Sequence, residues 1–259
     1  MNDARRYLLS LLGVAGLALA GGCAVYIPMQ TSPVHDGKAL GVNNVDAQCS
    51  VSRVTTYRCD LTAVAWFVIE DPQIDIDVCE SLLMAASARY GIADRIDIGG
   101  GGYWNMSALG GEIFAKVQVT DTSFPLAVAV VPALGYAGGS WWGGEGTAYA
   151  ESDTRLHASA VHLLVGVPLS YDPSPDVTLK AAANLHYSIL EASGDYTAKD
   201  RYGTYSGHRG ASRRILAPSY CLGLDVIGLG IFVRWYDRNK PLWGFSVGSA
   251  FYRYITGLI

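Results

Sequence analysis

VTLKAAANLHYSIL, residues 177–190, decides the fold. Val177, Leu179, Ala181, Ala183, Leu185, Tyr187 and Ile189 alternate with Thr178, Lys180, Ala182, Asn184, His186 and Ser188. A period of two puts each set on its own face of a β-strand. Residues 112–121 repeat the pattern: Ile113, Ala115, Val117 and Val119 interleave with Glu112, Phe114, Lys116 and Gln118. The run 122–144 carries no charge except at its flanks and could be taken for a spanning helix, but Pro125 and Pro132 interrupt it. Ala127, Ala129 and Ala133 alternate there with Leu126, Val128, Val130 and Leu134. That run reads as a strand with small residues on one face.

Around these strands the turns are legible. GIADR (91–95), DTSF (121–124), DPSPD (172–176) and DRNKP (237–241) are short and rich in turn formers. Ten strands are expected, near 61–69, 74–90, 95–104, 111–120, 124–136, 155–171, 176–190, 214–224, 228–236 and 242–254. Two connections are long, 137–154 and 191–213. The glycine runs 99–102 and 143–144 read as strand bends and flexible loop. No internal repeat stands out.

The apolar face of these strands is nearly free of charge. Tyr90, Trp104, Phe124, Tyr136, Tyr171, Tyr187, Trp235 and Trp243 sit on it near strand ends. A soluble cup hides such a face, whereas a membrane barrel turns it to lipid with aromatic girdles at both interfaces. Strand parity agrees. If the first strand rises from the periplasm, the short turns 91–95, 121–124, 172–176 and 225–228 fall on the periplasmic side and both long loops fall outside. The expected fold class is all-β: an antiparallel up-and-down transmembrane β-barrel of about ten strands. A soluble lipocalin-like lipoprotein is the architectural alternative. Glu80 is a misfit, because the register sends it outward; it lies either above the bilayer or at a bulge.

The 259 residues carry a formal charge of −4, are 50% hydrophobic and only 16% charged, so neither intrinsic disorder nor a basic nucleic-acid-binding face fits. The chain opens MNDARRYLLSLLGVAGLALAGG (1–22): basic Arg5 and Arg6, an apolar run, then small residues. That is the layout of an export signal. Leu19-Ala20-Gly21-Gly22-Cys23 resembles the lipobox of bacterial lipoproteins, with Ala20 where leucine is usual. The resemblance implies cleavage before Cys23 and lipidation of it. Ala24, not aspartate, follows the cysteine, which implies sorting to the outer membrane. Arg5-Arg6 also resembles a twin-arginine signal, from which Ala4 and Ser10 depart. Residues 24–46, rich in Pro, Asn, Asp and Gly, read as a tether. The expected organisation is a signal peptide at 1–22, a lipidated tether and N-terminal segment at 23–59, and the barrel at 60–259. Its expected place is the cell outer membrane, lipid-anchored at the periplasmic leaflet. The C-terminal half resembles outer-membrane barrel proteins generally. Those usually end in Phe or Trp, whereas this chain ends TGLI (256–259), so Phe251-Tyr252-Arg253-Tyr254 is the alternative assembly signal.

With Cys23 assigned to lipid, Cys49, Cys59, Cys79 and Cys221 remain, an even number in an oxidising compartment. A local bridge Cys49–Cys59 with Cys79–Cys221 is the simplest of three connectivities. No cysteine pair or histidine has metal-ligand spacing, and no cofactor motif occurs.

Matching the apolar faces sets Tyr90 opposite Ile96 and Ala88 opposite Ile98, which brings Arg89 to Asp97 in the lumen as an ion pair. Around 172–176, Tyr171 faces Val177 and Leu163 faces Leu185, which sets His162 opposite His186 inside. These four are the expected polar lumen residues, read chiefly as hydrogen-bonded filling. A ten-strand barrel is narrow and side chains nearly fill it.

Ten-strand outer-membrane barrels include the omptin proteases, which need His and Asp pairs at the outer rim; His208, Asp195 and Asp200 are the residues available. His186-Tyr187-Ser188 and His157-Ala158-Ser159 each look like the HxS of lipid A deacylases, with Glu191 near as a carboxylate. No catalytic residue is assigned from three-residue matches. The leading expectation is a structural, surface-binding or minor transport role. A narrow porin-like channel and a barrel hydrolase are the alternatives. Expected partners are outer-membrane lipid, the barrel-assembly machinery, and a surface ligand at loops 137–154 and 191–213, where Trp141, Trp142, Tyr149 and the tyrosines of 196–205 cluster.

Overall fold

The computed structural model describes residues 24–29, 35–61, 73–146, 150–200, 203–236 and 240–257. The strands are β1 (Ala24–Pro28), β2 (Val45–Leu61), β3 (Ile74–Ala93), β4 (Ile96–Asn105), β5 (Ala108–Gln118), β6 (Leu126–Gly146), β7 (Ala150–Ser174), β8 (Val177–Asp200), β9 (Gly203–Val226), β10 (Leu229–Tyr236) and β11 (Leu242–Gly248). One helix, α1 (Ser249–Gly257), follows. From β2 to β11 each strand pairs antiparallel with the next, and β11 returns to β2, which closes a ring of ten. Closure removes free edges within the ring, while among the described residues the parts of β3, β6 and β9 that extend beyond their shorter neighbours stay unpaired on one side.

The ring has a lipid-compatible exterior. The outward face is apolar over 126–136 in β6, 161–171 in β7, 179–189 in β8 and 216–226 in β9, eleven residues in each. A tilted membrane-crossing strand needs about 9–11. All eight expected girdle aromatics point outward. Tyr90, Phe124 and Tyr171 lie near the short turns, and Trp104, Tyr136 and Trp243 near the other margin, all exposed. The molecule is a transmembrane antiparallel β-barrel.

Its two ends differ. The turns at 94–95, 119–125, 175–176 and 227–228 form one rim, the turn end. At the opposite, extended end β6–β9 run past the belt, with Glu191 and Arg214 as the first outward charges. The stretches 137–154 and 191–213 are thus mostly strand, not loop, with β6 reaching Gly146 and β8 reaching Asp200. Gly143 and Gly144 lie within β6. Arg53 and Glu80 mark the same margin and pair at 3.7 Å, so Glu80 sits at the belt's edge and needs no bulge.

The wall begins at Val45, inside the stretch 23–59 read as tether and N-terminal segment. Of the strand expected at 61–69, only Leu61 is described, as the last residue of β2. Residues 1–23, with the expected signal and Cys23, lie outside the described residues. At the far end the expected strand 242–254 stops at Gly248. Phe251-Tyr252-Arg253-Tyr254 are helical in α1, which rests at the turn end, where Ser249 Oγ donates to Asp46 Oδ1 (2.6 Å).

Residues 24–29 and 35–40 lie inside the ring. β1 pairs with the part of β2 that β11 leaves free, Ala24 opposite Asp60 and Pro28 opposite Thr56. On its other side, Tyr26 N donates to Ser107 Oγ and Asn105 Nδ2 donates to the Tyr26 carbonyl, both at 2.8 Å. Val25 and Ile27 are fully buried among inward residues of the whole wall, including Leu156, Leu190, Ala217 and Leu242. Each such burial contributes about 1.5–3 kcal/mol. Two glycines permit the fit. A Cβ on Gly139 would meet Val25 Cγ1 at 2.9 Å, and one on Gly37 would collide with the Ala127 carbonyl. Leu61, at the tip of β2, also reaches inward, lying beside Gly194 on β8.

The expected disulfides do not form: Cys49, Cys59, Cys79 and Cys221 are free thiols. Cys49 and Cys59 lie on the single extended strand β2, ten residues or about 33 Å apart, against the roughly 7 Å limit for bridged Cα atoms. Cys79 on β3 and Cys221 on β9 occupy strands that are not neighbours in the ring.

Candidate functional site

Two sets of polar residues were expected in the lumen. Arg89 and Asp97 both turn inward, but the hairpin register is offset by two from the expected one. Tyr90 faces Ile98, and Arg89 faces Gly99. A bulge between Gly91 and Ala93 absorbs the difference. Arg89 and Asp97 still approach to 3.7 Å, yet the tighter partners of Arg89 are Asp36 at 2.8 Å and Asp46 at 3.1 Å. Lys116 completes the cluster, 2.8 Å from Asp36 and 3.2 Å from Asp97. The internal segment joins through its backbone as well. Leu40 N donates to Asp97 Oδ1 (3.0 Å), Ala39 N to Gln118 Oε1 (2.7 Å) and Gly37 N to Ser170 Oγ (3.2 Å).

His162 and His186 both point inward but are not opposed. A second irregularity, between Tyr171 and Ser174, sets Tyr171 opposite Leu179 and Leu163 opposite Tyr187. His162 therefore faces Ser188, and its Nδ1 hydrogen-bonds the Ser188 hydroxyl at 2.8 Å. His186 Nε2 meets Ser219 Oγ at 2.8 Å. Each imidazole bonds one serine, while His162 Nε2 is buried without a hydrogen-bond partner among the described residues. Among the described residues no cluster of His, Cys, Asp and Glu could hold a metal ion. His186 and Ser188 are thus buried on the inward face, while Tyr187 between them points outward.

The other HxS lies outside. On β7, His157 and Ser159 share the outward face, as alternate strand residues must. Ser159 is paired across with Glu191 on β8, itself outward and paired with Ser212 on β9. Directly opposed residues bring Cβ atoms to about 4.5–5.5 Å. His157 stands one rung further out, paired with Ser193 and Ser140. Gly138, Ser140, Ser159, Ser193 and Ser212 give this region a floor of small side chains. The result is an open groove of about 750 Å³, bounded below by Tyr136 at the margin of the apolar belt. Above it runs a row of Trp142, Arg155, Asp195 and His208. The Arg155 guanidinium lies 5.6 Å from the Trp142 ring centre, and His208 Nδ1 is 2.8 Å from Asp195 Oδ1. The His208–Asp195 pair faces outward, away from the lumen rim. The side chain of Asp200 lies outside the described residues.

Serine, histidine and glutamate on one face are the groups acyl transfer requires: a nucleophile, a base and a carboxylate to orient the base. The register that joins them could not be read from sequence, because Glu191 lies thirty-two positions beyond Ser159 and meets it only through the offset hairpin.

No protein-family model matches the chain, and no curated protein does. Among solved structures, it is similar to the outer membrane protease OmpT from Escherichia coli (8% identity, 80% of this chain and 91% of that one, TM-score 0.42). It is also similar to the translocator domain of the autotransporter NalP from Neisseria meningitidis (10%, 80% and 88%, 0.32). A third is Ail, the attachment invasion locus protein of Yersinia pestis (10%, 78% and 95%, 0.22). These are outer-membrane barrels. At such scores the fold rests on the closed ring and its belt, and the similarity carries nothing about activity.

Proposed function

We propose that this protein is a closed, non-conducting barrel of the bacterial outer membrane that acts at the cell surface through its extended wall, β6–β9. The turn end faces the periplasm, because membrane barrels keep short turns there and project longer segments outward. The lipobox-type stretch 19–23 supports lipidation of Cys23. Outer-membrane lipid around the belt and the barrel-assembly machinery are the partners this reading requires. The observation that carries it is the filled bore. Residues 24–29 and 35–40 occupy the lumen, with apolar packing at one end and buried ion pairs at the other, which argues against the channel reading. In planar bilayers the intact protein is expected to give no conductance steps. Stable steps from the intact chain would overturn the proposal.

The groove favours a second, more specific reading. Ser159 and Glu191 stand on the outer wall one rung beyond the apolar belt, with His157 one rung further out, at headgroup depth. An ester linkage of an outer-leaflet lipid would meet the Ser159 hydroxyl there without leaving the membrane. On this reading the protein is an acyl-ester hydrolase. Purified protein in mixed micelles is expected to release fatty acid from lipid, and Ser159→Ala to abolish the release while Ser188→Ala leaves it intact. Equal activity in the Ser159→Ala variant would sink this reading and leave the first untouched.

A further inference from the structure

The internal segment has a direction. β1 is antiparallel to β2, so the chain descends from Ala24, opposite Asp60, to Pro28, opposite Thr56. Asp36 then meets Arg89 and Lys116, Leu40 meets Asp97, and the chain turns at 41–44 beside Gly91 at the turn end. From there β2 climbs back. Its belt margin is Arg53, so Asp60 stands seven residues beyond, about 23 Å along an extended strand. Val45, at the turn end, is fifteen residues below Asp60, about 50 Å.

We propose that the exported chain begins on the outer side of the membrane: the barrel delivers the residue before Ala24, Cys23, to its mouth at the extended end. An acyl group on Cys23 would then lie on that side and not in the periplasmic leaflet. The proposal rests on the orientation and the cleavage before Cys23 given above. Magnitudes decide it. One residue of extended chain reaches at most about 3.6 Å, whereas the periplasmic end is roughly 50 Å away while β1 stays docked. Undocking β1 would expose Val25 and Ile27, both fully buried, and strip Asn105 and Ser107 of their partner Tyr26. An anchor in the periplasmic leaflet and a docked β1 therefore exclude each other.

The test uses the full chain in intact cells. One variant carries an epitope between Cys23 and Ala24, and a second carries it in the turn between Thr122 and Ser123. Heat-modifiable gel mobility confirms that each has folded. The expected result is antibody labelling of the first variant on intact cells, equal to that after permeabilisation, and labelling of the second only after permeabilisation. On the untagged chain, Val25→Cys is expected to crosslink to the native Cys59 that β1 pairing sets opposite it, identified by mass spectrometry of the joined peptides. An N-terminal epitope reached only after permeabilisation overturns the proposal, whether or not the crosslink forms. A surface epitope without the crosslink overturns it too, since the terminus would then reach the surface by another route. Labelling of the turn epitope on intact cells shows instead that the orientation itself is wrong. Incorporation of radiolabelled palmitate, lost in Cys23→Ser, reports on lipidation alone.

Discussion

The two halves of the lumen hold the same segment with opposite kinds of side chain. Toward the turn end, residues 36–40 are fixed by charge and hydrogen bonds to Arg89, Asp97, Lys116, Gln118 and Ser170. Toward the extended end, β1 is held by backbone pairing with β2, by hydrogen bonds to Ser107 and Asn105, and by apolar side chains packed against the wall. Apolar burial is strong but tolerant of sliding, whereas ion pairs and backbone hydrogen bonds demand one register. Backbone hydrogen bonds thus fix the register in both halves, and the division lies in the side chains, charged in one half and apolar in the other.

The sharpest way to break this contrast is in the charged half. Lys116 and Asp97 are both fully buried. Lys116→Met leaves Asp97 and Asp36 short of a cation, and removing one member of a buried pair costs about 3–5 kcal/mol. Denaturant titration in detergent micelles is expected to show that loss, and a shift near zero would mean that the cluster contributes little to holding the segment. The apolar half should respond more gently. Ile27→Val removes one methylene from a packed site and is expected to cost about 0.5–1.5 kcal/mol in the same titration. A loss as large as that of Lys116→Met would erase the proposed division.

Smallest is an effect outside the lumen. At the turn between β5 and β6, the Ser123 backbone N–H, then its hydroxyl, then Arg95, lower the Asp121 carboxyl below its ordinary value. A lowered carboxylate stabilises the fold above the ordinary carboxylate range and loses that contribution as pH falls through the folded value. Ser123→Ala is expected to be slightly less stable than the parent at pH 7 and to converge with it in acid. A gap that persists at low pH would assign the effect to something other than Asp121.

Much of the wall was legible. A period of two in 112–121 and 177–190 marks half-buried strands whatever surrounds them, and the apolar face already spoke for lipid. The tall extensions of β6–β9 were not, because above the belt the outward face turns polar and the inward face mixes small, polar and a few apolar residues such as Leu156 and Leu190, which blurs the alternation. Runs such as Ser152-Asp153-Thr154 then carry the composition of a loop. The registers at 91–96 and 171–177 were missed by two residues and not by one. A bulge absorbs the extra residues while face matching still holds, so Arg89, Asp97, His162 and His186 came out inward with altered neighbours. The plug was hidden by brevity. β1 has five residues, ends at Pro28 and leads into a stretch with turn residues, and nothing in that pattern says that a barrel surrounds it.

A ring closed around its own chain poses a problem of assembly. β2 and β11 meet across nearly two hundred residues of sequence, and such distant pairings form late. Until that seam shuts, the molecule is a curved sheet with one open side, and segment 24–44 can be laid in sideways. Once it shuts, the only way in is end-first through the bore, past the tight approaches at Gly37 and Gly139. The plug thus belongs to the template on which the staves gather, and a seam that sealed too early would yield an empty barrel with its first residues stranded outside.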